Sequence, residues 1–242
     1  MKAIVLAGGY AKRLWPITKH VSKPLLLVGK EPVINYVIRK LETVDVDKIY
    51  ISTNEKFKDD YKKWLKKYGF KKIKIVIEKT HSEKEKLGAI GGINFLIKKE
   101  NLKDDCIIVG GDNLLSFSME EFIEFYKNKK APTVAVFDVK SMEKAKLYGI
   151  VKTNQKNKII DFLEKPENPP TTLASTCCYL FPKNILPLFS KYLNQKNPKD
   201  APGFFLKWLC KKRNVFAFVF EDHWFDIGDK KTLAEARAYA SK

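Results

Sequence analysis

The sequence predicts an α/β protein with a Rossmann-like, mostly parallel central sheet, helices on both faces and a small β insertion covering one side of its ligand site. Three observations support this fold class. Up to about residue 140, short apolar runs alternate with amphipathic segments, which is typical of right-handed βαβ units. From 147 to 182 closely spaced strand-like runs replace that alternation, and helical patterns return after them. The chain shows no internal repeat and no linker that would divide it into independent domains.

The first 140 residues supply the parallel part of the predicted sheet. Its first strand spans 2–7, where the apolar run from Ala3 to Ala7 indicates burial on both faces. Ligands bind beyond the carboxyl ends of strands in such sheets, where Gly8-Gly9 and Gly110-Gly111-Asp112 would both lie. The other expected strands are 48–53, 73–78, 105–110 and 132–139, and the expected helices are 32–43, 57–68, 88–99 and 118–129.

The residues after 147 predict the β insertion and the elements that close the chain. The runs 148–153 and 158–163 are joined by four polar residues and predict a β-hairpin. A third run, 173–181, follows the turn-forming segment 166–170. The closing elements are expected to be helices at about 183–192 and 203–212, a strand at 214–220 and a helix at 229–241.

The formal charge of +18 would be typical of a protein that binds nucleic acid. The excess is almost all lysine, however, and arginine occurs only at Arg13, Arg39, Arg213 and Arg237. The lysines within 62–67 fall on the polar side of an amphipathic helix, as solvated surface charges do. Because no arginine-rich stripe or RNA-binding signature occurs, we expect no nucleic-acid partner. The basic field would still attract anionic substrates.

Membrane and export signals are not found in the sequence. No apolar run approaches the roughly twenty residues of a membrane span. Only five apolar residues precede Gly8, so we interpret the start as a strand, not a signal peptide, and expect a cytoplasmic protein without a membrane partner. Cys106, Cys177, Cys178 and Cys210 form no C-x-x-C pair, which favours buried free thiols over zinc or disulfide bonds.

The segment after the first strand has the character of a phosphate-binding loop. Gly8 and Gly9 let the chain turn sharply and expose backbone N–H groups. Arg13 and Lys23 follow, and two cations beside free amides make a place for a polyphosphate. The glycine pair alone would be an ordinary turn, so the cations at these spacings make it a candidate site.

Two aspartates are candidate ligands for a hard cation. Asp112 follows the buried run 106–111, and a carboxylate there can bind Mg²⁺, which keeps several waters and binds substrate phosphates. Asp226 lies far away in sequence, between Trp224 and Gly228. Each aspartate could instead cap the helix that follows it. Together they could hold one metal from opposite sides of a pocket.

These segments resemble the signature of the sugar-phosphate nucleotidyltransferases, L-A-G-G-x-x-x-R-L-x-P followed by x-K-P-L-L. The matching residues are Leu6, Ala7, Gly8, Gly9, Arg13, Pro16 and Lys23. The likeness extends over nearly the whole chain, through an E-x-L-G-like segment at 85–92, a Y-G strand at 148–151 and an F-x-E-K-P motif at 162–166. In this family a G-D aspartate and a W-x-D-x-G aspartate share the catalytic Mg²⁺, which implies Asp112 and Asp226 here.

The resemblance also implies which residues contact each substrate. Leu6, Ala7, Gly8, Gly9, Glu85 and Gly88 would bind the nucleotide, and Gly149, Glu164, Lys165, Ser175 and Tyr179 would bind the sugar phosphate. Gly88 lets backbone approach a flat base, and Glu85 could accept a hydrogen bond from a base N–H. The charged run 84–86 could equally be an ordinary surface turn. Glu164 would receive sugar hydroxyls, and Lys165 would meet the sugar phosphate.

Three residues depart from the family pattern. Ala11 stands where glycine is common in the phosphate loop. The segment from Ser175 to Tyr179 stands where many members read N-x-G-x-Y, and the shorter Ser175 puts the usual sugar selectivity in doubt. Asp229 replaces a frequent threonine, in a position where it could cap the last helix.

The implied reaction joins an NTP and a sugar 1-phosphate to give an NDP-sugar and pyrophosphate. Arg13 would stabilise the leaving pyrophosphate and the transition state, Lys23 would hold the triphosphate, and Lys165 would orient the nucleophile. UTP or dTTP with glucose 1-phosphate is the first expectation, and GTP with mannose 1-phosphate is the second. A cytidylyltransferase acting on a non-sugar phosphate, a regulatory relative without activity and a homo-oligomeric state remain open alternatives.

The same resemblance divides the single expected domain, 1–242, into three parts. Residues 1–140 would form the nucleotide-binding part. Residues 141–182 would form the β insertion that covers the sugar site, and 183–242 would supply the closing helices and the second metal aspartate.

Overall fold

The computed structural model describes residues 1–240, and a nine-stranded sheet lies at its centre. The strands are β1 (Lys2–Leu6), β2 (Leu27–Val28), β3 (Glu31–Pro32), β4 (Lys48–Asn54), β5 (Ile73–Glu78), β6 (Cys106–Gly110), β7 (Asn113–Leu115), β8 (Thr133–Asp138), β9 (Gly149–Thr153), β10 (Ile159–Glu164), β11 (Leu173–Phe181), β12 (Phe216–Phe220) and β13 (Trp224–Asp226). The helices are α1 (Val33–Glu42), α2 (Lys58–Tyr68), α3 (Gly88–Lys99), α4 (Met119–Lys129), α5 (Met142–Ala145), α6 (Leu186–Asn194), α7 (Pro202–Cys210) and α8 (Lys230–Ala240).

The sheet has a parallel half and a mixed half. Strands β6, β1, β4 and β5 are neighbours in that order and run parallel, with Ala3 level with both Ile49 and Ile107. On the other side of β6, β11 runs antiparallel and also pairs with β8 and β9. The hairpin of β9 and β10 ends the sheet, and β12 joins it parallel to β8. The predicted α/β class with a mostly parallel central sheet is confirmed.

Helices cover both faces of the sheet because its buried strands alternate their side chains between two apolar cores. Ala3 and Val5 of β1 point into a core that contains Ile38 of α1, Tyr61 of α2 and Phe122 of α4. The opposite core contains Ile4 of β1 together with buried side chains from three further helices, namely Leu96 of α3, Phe189 of α6 and Phe205 of α7. Burial on both faces is why the β1 run is continuously apolar.

The predicted β insertion is partly a continuation of the central sheet. The hairpin at 148–153 and 158–163 is present as β9 and β10. The third run, however, is β11, which lies between β6 and β8 and registers Tyr179 opposite Ile108. A strand with buried neighbours on both sides needs apolar residues, which explains its composition. Of the predicted helix 229–241, residue 241 lies outside the described residues.

Two short strand pairs were not predicted from the sequence. One is the hairpin of β2 and β3, and the other is an antiparallel ribbon of β7 and β13, with Asp226 level with Asn113. Three-residue strands give too short a pattern to recognise. No helix in residues 1–240 has the length and apolar character needed to cross a membrane. All four cysteines are free, and Cys106 and Cys178 are buried.

Candidate active site

The loop after β1 is held at its base by the neighbouring strand. The N–H of Ala7 donates to Ser52 O (2.8 Å), and Asn54 Nδ2 donates to Gly8 O (3.1 Å). Ala11 has the left-handed φ of 45° that glycine usually supplies at this kind of turn. Its carbonyl accepts a hydrogen bond from Thr18 Oγ1 (2.7 Å), which fixes this conformation in the absence of glycine.

The two loop cations point to different places. The Lys23 ammonium is paired with the Asp112 carboxylate. Burial would lower the pKa of Lys23, but the charges of Asp112 and Asp226 raise it above its usual value. Arg13 is exposed and lines a pocket with Lys165 and Asp226. The structure therefore separates one cation that neutralises a carboxylate from one that faces open space.

The two candidate metal ligands are adjacent in space although they are far apart in sequence. Asp112 follows β6 and precedes β7, and the ribbon with β13 brings Asp226 beside it. The N–H of Ile227 donates to Asp112 O (3.2 Å). Burial, and next the charge of Asp112, raise the pKa of the Asp226 carboxyl, while Lys23 opposes this rise. The site thus places two like charges together in a desolvated position.

This pair fits Mg²⁺, which suits hard oxygen ligands and commonly takes one or two carboxylates together with waters and substrate phosphates. Within residues 1–240 no three His, Cys, Asp or Glu side chains are grouped to hold a metal by themselves. Asp112 and Asp226 would supply two of the ligands, and the others would come from phosphate and water. A cation there would also relieve the repulsion between the carboxylates.

The first of two pockets, which we call the Glu164 pocket, lies between the mixed half of the sheet and the ribbon. It has a volume of about 320 Å³. The residues that line it are Arg13, Lys146, Leu147, Tyr148, Gly149, Phe162, Glu164, Lys165, Ser175, Cys177, Tyr179, Pro202, Gly203, Asp226, Gly228, Asp229 and Thr232. All five residues expected to bind the sugar phosphate meet here, together with Arg13 and one metal aspartate. Their roles toward a ligand stay predictions.

The Glu164 carboxylate is held in a cradle of two glycines. A Cβ on Gly149 would lie 3.1 Å from Glu164 Oε2, and a Cβ on Gly203 would overlap the same oxygen. Burial raises the pKa of Glu164. Next to it, Lys165 has a φ of 45° and donates its N–H to Tyr148 O (3.1 Å). Backbone in this region is strained for a residue with a side chain, and such strain is often found at functional sites.

The residues of β11 that depart from the family pattern, Ser175 and Cys177, line this pocket. The pairing of β11 with β8 is irregular between Ser175 and Tyr179, so the strand bulges where it meets the pocket. Cys177 lies in the bulge with a φ of 54°, which a glycine would adopt without strain. Ser175 Oγ is buried and lacks a hydrogen-bond partner of normal distance and angle among the described residues, although it lies close enough to Tyr179 to interact with it. A ligand hydroxyl could supply the partner that Ser175 lacks.

The second pocket, which we call the Glu78 pocket, lies at the carboxyl ends of the parallel strands. Its volume is about 210 Å³. It is lined by Leu6, Gly8, Gly9, Glu78, Lys86, Gly88, Ala89, Gly92 and Asp200. Four of the nucleotide-binding candidates lie in this lining, namely Leu6, Gly8, Gly9 and Gly88. Ala7, which directly follows β1 in the chain, is buried.

Gly88 begins α3 under conditions that only glycine satisfies. Its φ is +75°, and a Cβ would lie 2.5 Å from Lys199 O. The first amides of α3, those of Ala89 and Ile90, donate to Asp200 O (3.3 Å) and Lys199 O (3.0 Å). The segment Lys199–Gly203 thus closes the Glu78 pocket at one end and touches Glu164 at the other.

Glu78 is the residue that the sequence interpretation missed. It ends β5, is only 6% exposed, and its Oε1 accepts a hydrogen bond from Ser52 Oγ (2.8 Å). A Cβ on Gly92 would lie 2.7 Å from this oxygen. Burial raises the pKa of Glu78, partly offset by the Ser52 hydrogen bond. One signal was available: a carboxylate ending an apolar parallel strand lies at the edge where such sheets bind ligands.

The structure does not place Glu85 in either pocket lining. Its side chain is exposed and accepts hydrogen bonds from His81 N (2.8 Å) and Ser82 Oγ (3.0 Å). The hydrogen bond from the His81 amide, followed by that from Ser82, lowers the pKa of Glu85. Its role toward a base stays a prediction, and Glu78 is the carboxylate that the geometry offers.

The match to a protein family covers nearly the whole chain. Residues 2–242 fit the profile of the family described as Nucleotidyl transferase. The chain belongs to this family. The Glu164 pocket, the Glu78 pocket and the aspartate pair are therefore features of a nucleotidyl transferase domain.

Known relatives and structures agree with this assignment. The Bifunctional protein GlmU of Methanocaldococcus jannaschii is 30% identical over 242 residues, which is 99% of this chain and 54% of that protein. A Sulfolobus acidocaldarius protein provisionally named mannose-1-phosphate guanyltransferase is 32% identical, over 94% of this chain and 60% of its own. A Bacillus anthracis crystal structure provisionally named glucose-1-phosphate thymidylyltransferase superposes with a TM-score of 0.84 at 26% identity, covering 99% and 95% of the two chains. The chain thus spans 54–60% of the length of these two curated relatives.

Proposed function

We propose that this protein transfers a nucleotidyl group from an NTP to a sugar 1-phosphate, which gives an NDP-sugar and pyrophosphate. One observation carries the proposal: Arg13, Lys165 and Asp226 line one pocket with Glu164, and the pair of Lys23 and Asp112 lies beside them. Two phosphate groups that must approach each other need this grouping of cations around a metal-binding carboxylate pair. The family assignment and the relatives' names support the same reaction class.

The reaction needs positioning and charge neutralisation more than acid–base chemistry. A phosphate oxygen of the sugar 1-phosphate attacks the α-phosphorus of the NTP in line, a new P–O bond forms, and the bond to pyrophosphate breaks. Lys165 would hold the attacking phosphate, and Arg13 would stabilise the charge that develops on the leaving group. Lys23 would pass from Asp112 to the triphosphate as substrates enter.

We propose Mg²⁺ as the cofactor held by Asp112 and Asp226. When bound, it would neutralise phosphate charge at the reacting centre. The other proposed partners are the NTP and the sugar 1-phosphate, with no nucleic acid and no membrane. A cytoplasmic location is the expectation that accompanies these substrates, and assembly into a homo-oligomer is left open.

We propose UTP or dTTP with glucose 1-phosphate as the first substrate pair and GTP with mannose 1-phosphate as the second. Support comes from the buried Glu78 carboxylate, which accepts hydrogen bonds but does not donate them while ionised. Uracil and thymine offer N3–H and guanine offers N1–H, whereas N3 of cytosine is bare. On the sugar side, Glu164 and Ser175 would receive hydroxyls of an unsubstituted hexose.

A release assay for pyrophosphate tests the proposal directly. Purified protein is incubated with Mg²⁺ and each NTP, combined in turn with glucose 1-phosphate, mannose 1-phosphate and glycerol 3-phosphate. We expect release that requires both an NTP and a sugar 1-phosphate. Release with CTP and glycerol 3-phosphate would instead support the cytidylyltransferase alternative, and no release with any pair would contradict the proposed function.

Asparagine variants test the metal ligands. Asp112→Asn and Asp226→Asn should each nearly abolish turnover while the melting temperature stays close to that of the parent. The double variant should lose little more than either single variant, because the two carboxylates act as a unit. Full activity of either single variant at limiting Mg²⁺ would show that its carboxylate is not a ligand.

A further inference from the structure

Asn113 contacts the side chain of Asp112, one of the two proposed metal ligands. It follows Asp112 in the chain, is only 2% exposed, and its Nδ2 donates to Asp112 Oδ1 at 3.1 Å. Its Oδ1 accepts a hydrogen bond from Trp224 Nε1 at 2.7 Å. Both polar ends of this buried amide are therefore used, one by the carboxylate and one by the indole.

The indole determines which way the amide of Asn113 points. An indole N–H only donates hydrogen bonds, so it must face the carbonyl oxygen of the amide. The amide nitrogen then faces Asp112 and can only donate to it. Rotating the amide by half a turn would leave the indole N–H without an acceptor and place two oxygens against each other, so both hydrogen bonds would be lost.

The same geometry assigns the two oxygens of Asp112 to different partners. Oδ1 is held by Asn113, and a Cβ on Gly110 would lie 2.9 Å from it. Oδ2 is the oxygen that pairs with Lys23. One oxygen is thus held by the neighbouring amide, while the other is paired with the Lys23 ammonium.

Trp224 is itself held firmly. Its ring centroid lies 4.7 Å from that of Tyr148 and 6.0 Å from that of Phe137. On the ribbon, Trp224 is level with Leu115 and lies two residues before Asp226. The indole therefore connects the strand that bears Asp226 to the Asn113 amide, which in turn donates to the Asp112 carboxylate.

We infer that Asn113 and Trp224 are a positioning pair that orients the Asp112 carboxylate toward a divalent cation through the hydrogen bonds from indole to amide to carboxylate. The inference rests on the proposed function for the place of the cation. Partners of this kind orient metal ligands in many proteins, and losing one lowers metal affinity by about 10- to 100-fold. Neither residue lines the Glu164 pocket or the Glu78 pocket, so both would act through Asp112.

Direct binding of Mn²⁺ to the protein without substrates provides the test, measured by electron paramagnetic resonance of the free ion. Asn113→Ala removes the donor to Asp112, and Trp224→Phe removes only the indole N–H while keeping a ring against Tyr148. We expect each variant to weaken Mn²⁺ binding by about tenfold. The double variant should be no weaker than Asn113→Ala, because Trp224 acts through the amide.

The chain offers a matched control. Trp208 Nε1 donates to Gln195 Oε1 at 2.9 Å, which is the same indole-to-amide hydrogen bond outside both pocket linings. Trp208→Phe should leave Mn²⁺ affinity unchanged, and Asp112→Asn should remove the site. If Asn113→Ala does not fold, as judged by circular dichroism, Trp224→Phe alone decides.

The inference would be overturned if the Trp224→Phe variant bound Mn²⁺ as tightly as the parent protein. It would also be overturned if Trp208→Phe weakened Mn²⁺ binding as much as Trp224→Phe does. Mn²⁺ binding that is unchanged in the Asp112→Asn variant would also overturn it. These results are separate from the proposed reaction, because Mn²⁺ binding is measured without turnover. A protein that binds Mn²⁺ as expected but releases no pyrophosphate would contradict the proposed function and leave the positioning pair supported.

Discussion

The Glu78 pocket is lined largely by backbone, whereas the Glu164 pocket is lined largely by side chains. In the Glu78 pocket, backbone at Gly8, Gly88 and Gly92 forms much of the surface, and a single buried carboxylate lies among the glycines. In the Glu164 pocket, side chains from antiparallel strands and the ribbon form the walls. Under the proposed function, the first pocket would recognise its ligand by close approach of backbone, whereas the second would use polar side chains that can be exchanged one at a time.

This difference explains where variation can enter. A side chain added at Gly88 would meet the carbonyl of Lys199, so the site of the proposed base tolerates little change. Ser175 and Cys177 in the Glu164 pocket already depart from the family pattern, while β11 keeps its place in the sheet. We expect single side-chain substitutions to be tolerated more readily in the wall of the Glu164 pocket than at Gly88.

The largest effect expected in the Glu164 pocket separates the roles of two of its cations, Arg13 and Lys165. Arg13→Ala should lower kcat by a factor on the order of 10³, because its charge would act mainly on the transition state. Lys165→Ala should mainly raise KM for the sugar phosphate and affect the NTP less. Steady-state kinetics with both substrates varied distinguishes these outcomes, and the reverse pattern would show that the two roles are exchanged.

A smaller effect is expected when the cradle of Glu164 is filled. Gly203→Ala places a methyl group on Glu164 Oε2 and should displace the carboxylate. Losing a charged hydrogen bond of about 1.5–3 kcal/mol would raise KM for the sugar phosphate roughly 10- to 100-fold. The KM for the NTP should change little if the two pockets recognise their ligands separately.

A shorter acidic side chain at position 164 provides the check on Gly203→Ala. Adding Glu164→Asp withdraws the oxygen from the new methyl group and should recover part of the lost affinity. Equal increases in both KM values, or no recovery in the double variant, would mean that Gly203 supports the fold of α7 instead of the position of Glu164.

The smallest expected effect concerns the choice of base. Glu78→Gln replaces one of the two acceptor oxygens with an N–H donor and should relax discrimination against CTP by about tenfold, the value of one hydrogen bond of about 1.4 kcal/mol. Glu85→Gln is the matched control, because the sequence interpretation gives that residue the same role. The ratio of kcat/KM for CTP and the preferred NTP decides between them, and an unchanged ratio in both would assign base choice to the backbone.

The pH dependence of base choice should follow Glu78. Burial raises the pKa of this carboxyl, so it gains a proton at a higher pH than an exposed glutamate does. Lowering the pH converts the acceptor into a donor and should relax discrimination against CTP in the parent. The Glu78→Gln variant should show no such change, and a parallel change in both would locate the titrating group elsewhere.

Local sequence patterns predicted the parallel half of the molecule well. β1 and the helix at 88–99 follow from apolar continuity and from periodicity, and the sheet edge follows from the topology of βαβ units. The resemblance supplied Asp112 and Asp226 as a pair, and the structure shows how they meet. The place of Glu78 at the end of a predicted strand was visible in the sequence, whereas its burial arises from tertiary packing and was not.

The pairings in the mixed half that the sequence did not predict have a related cause. β11 has the composition of any apolar strand, and its place between β6 and β8 depends on long-range pairing that no local pattern encodes. The ribbon of β7 and β13 joins residues more than a hundred positions apart with three residues from each side. Its existence could be inferred only from the implied shared metal.

The segment Lys199–Gly203 has a consequence for engineering this fold. Its carbonyls bind the start of α3 at one pocket, and its glycine touches Glu164 at the other. The two pockets are therefore not interchangeable modules, although they differ in construction. A chimera that takes the strands of the Glu164 pocket from a relative would have to take these five residues too. Their carbonyls would then occupy new positions and shift the start of α3, which borders the Glu78 pocket.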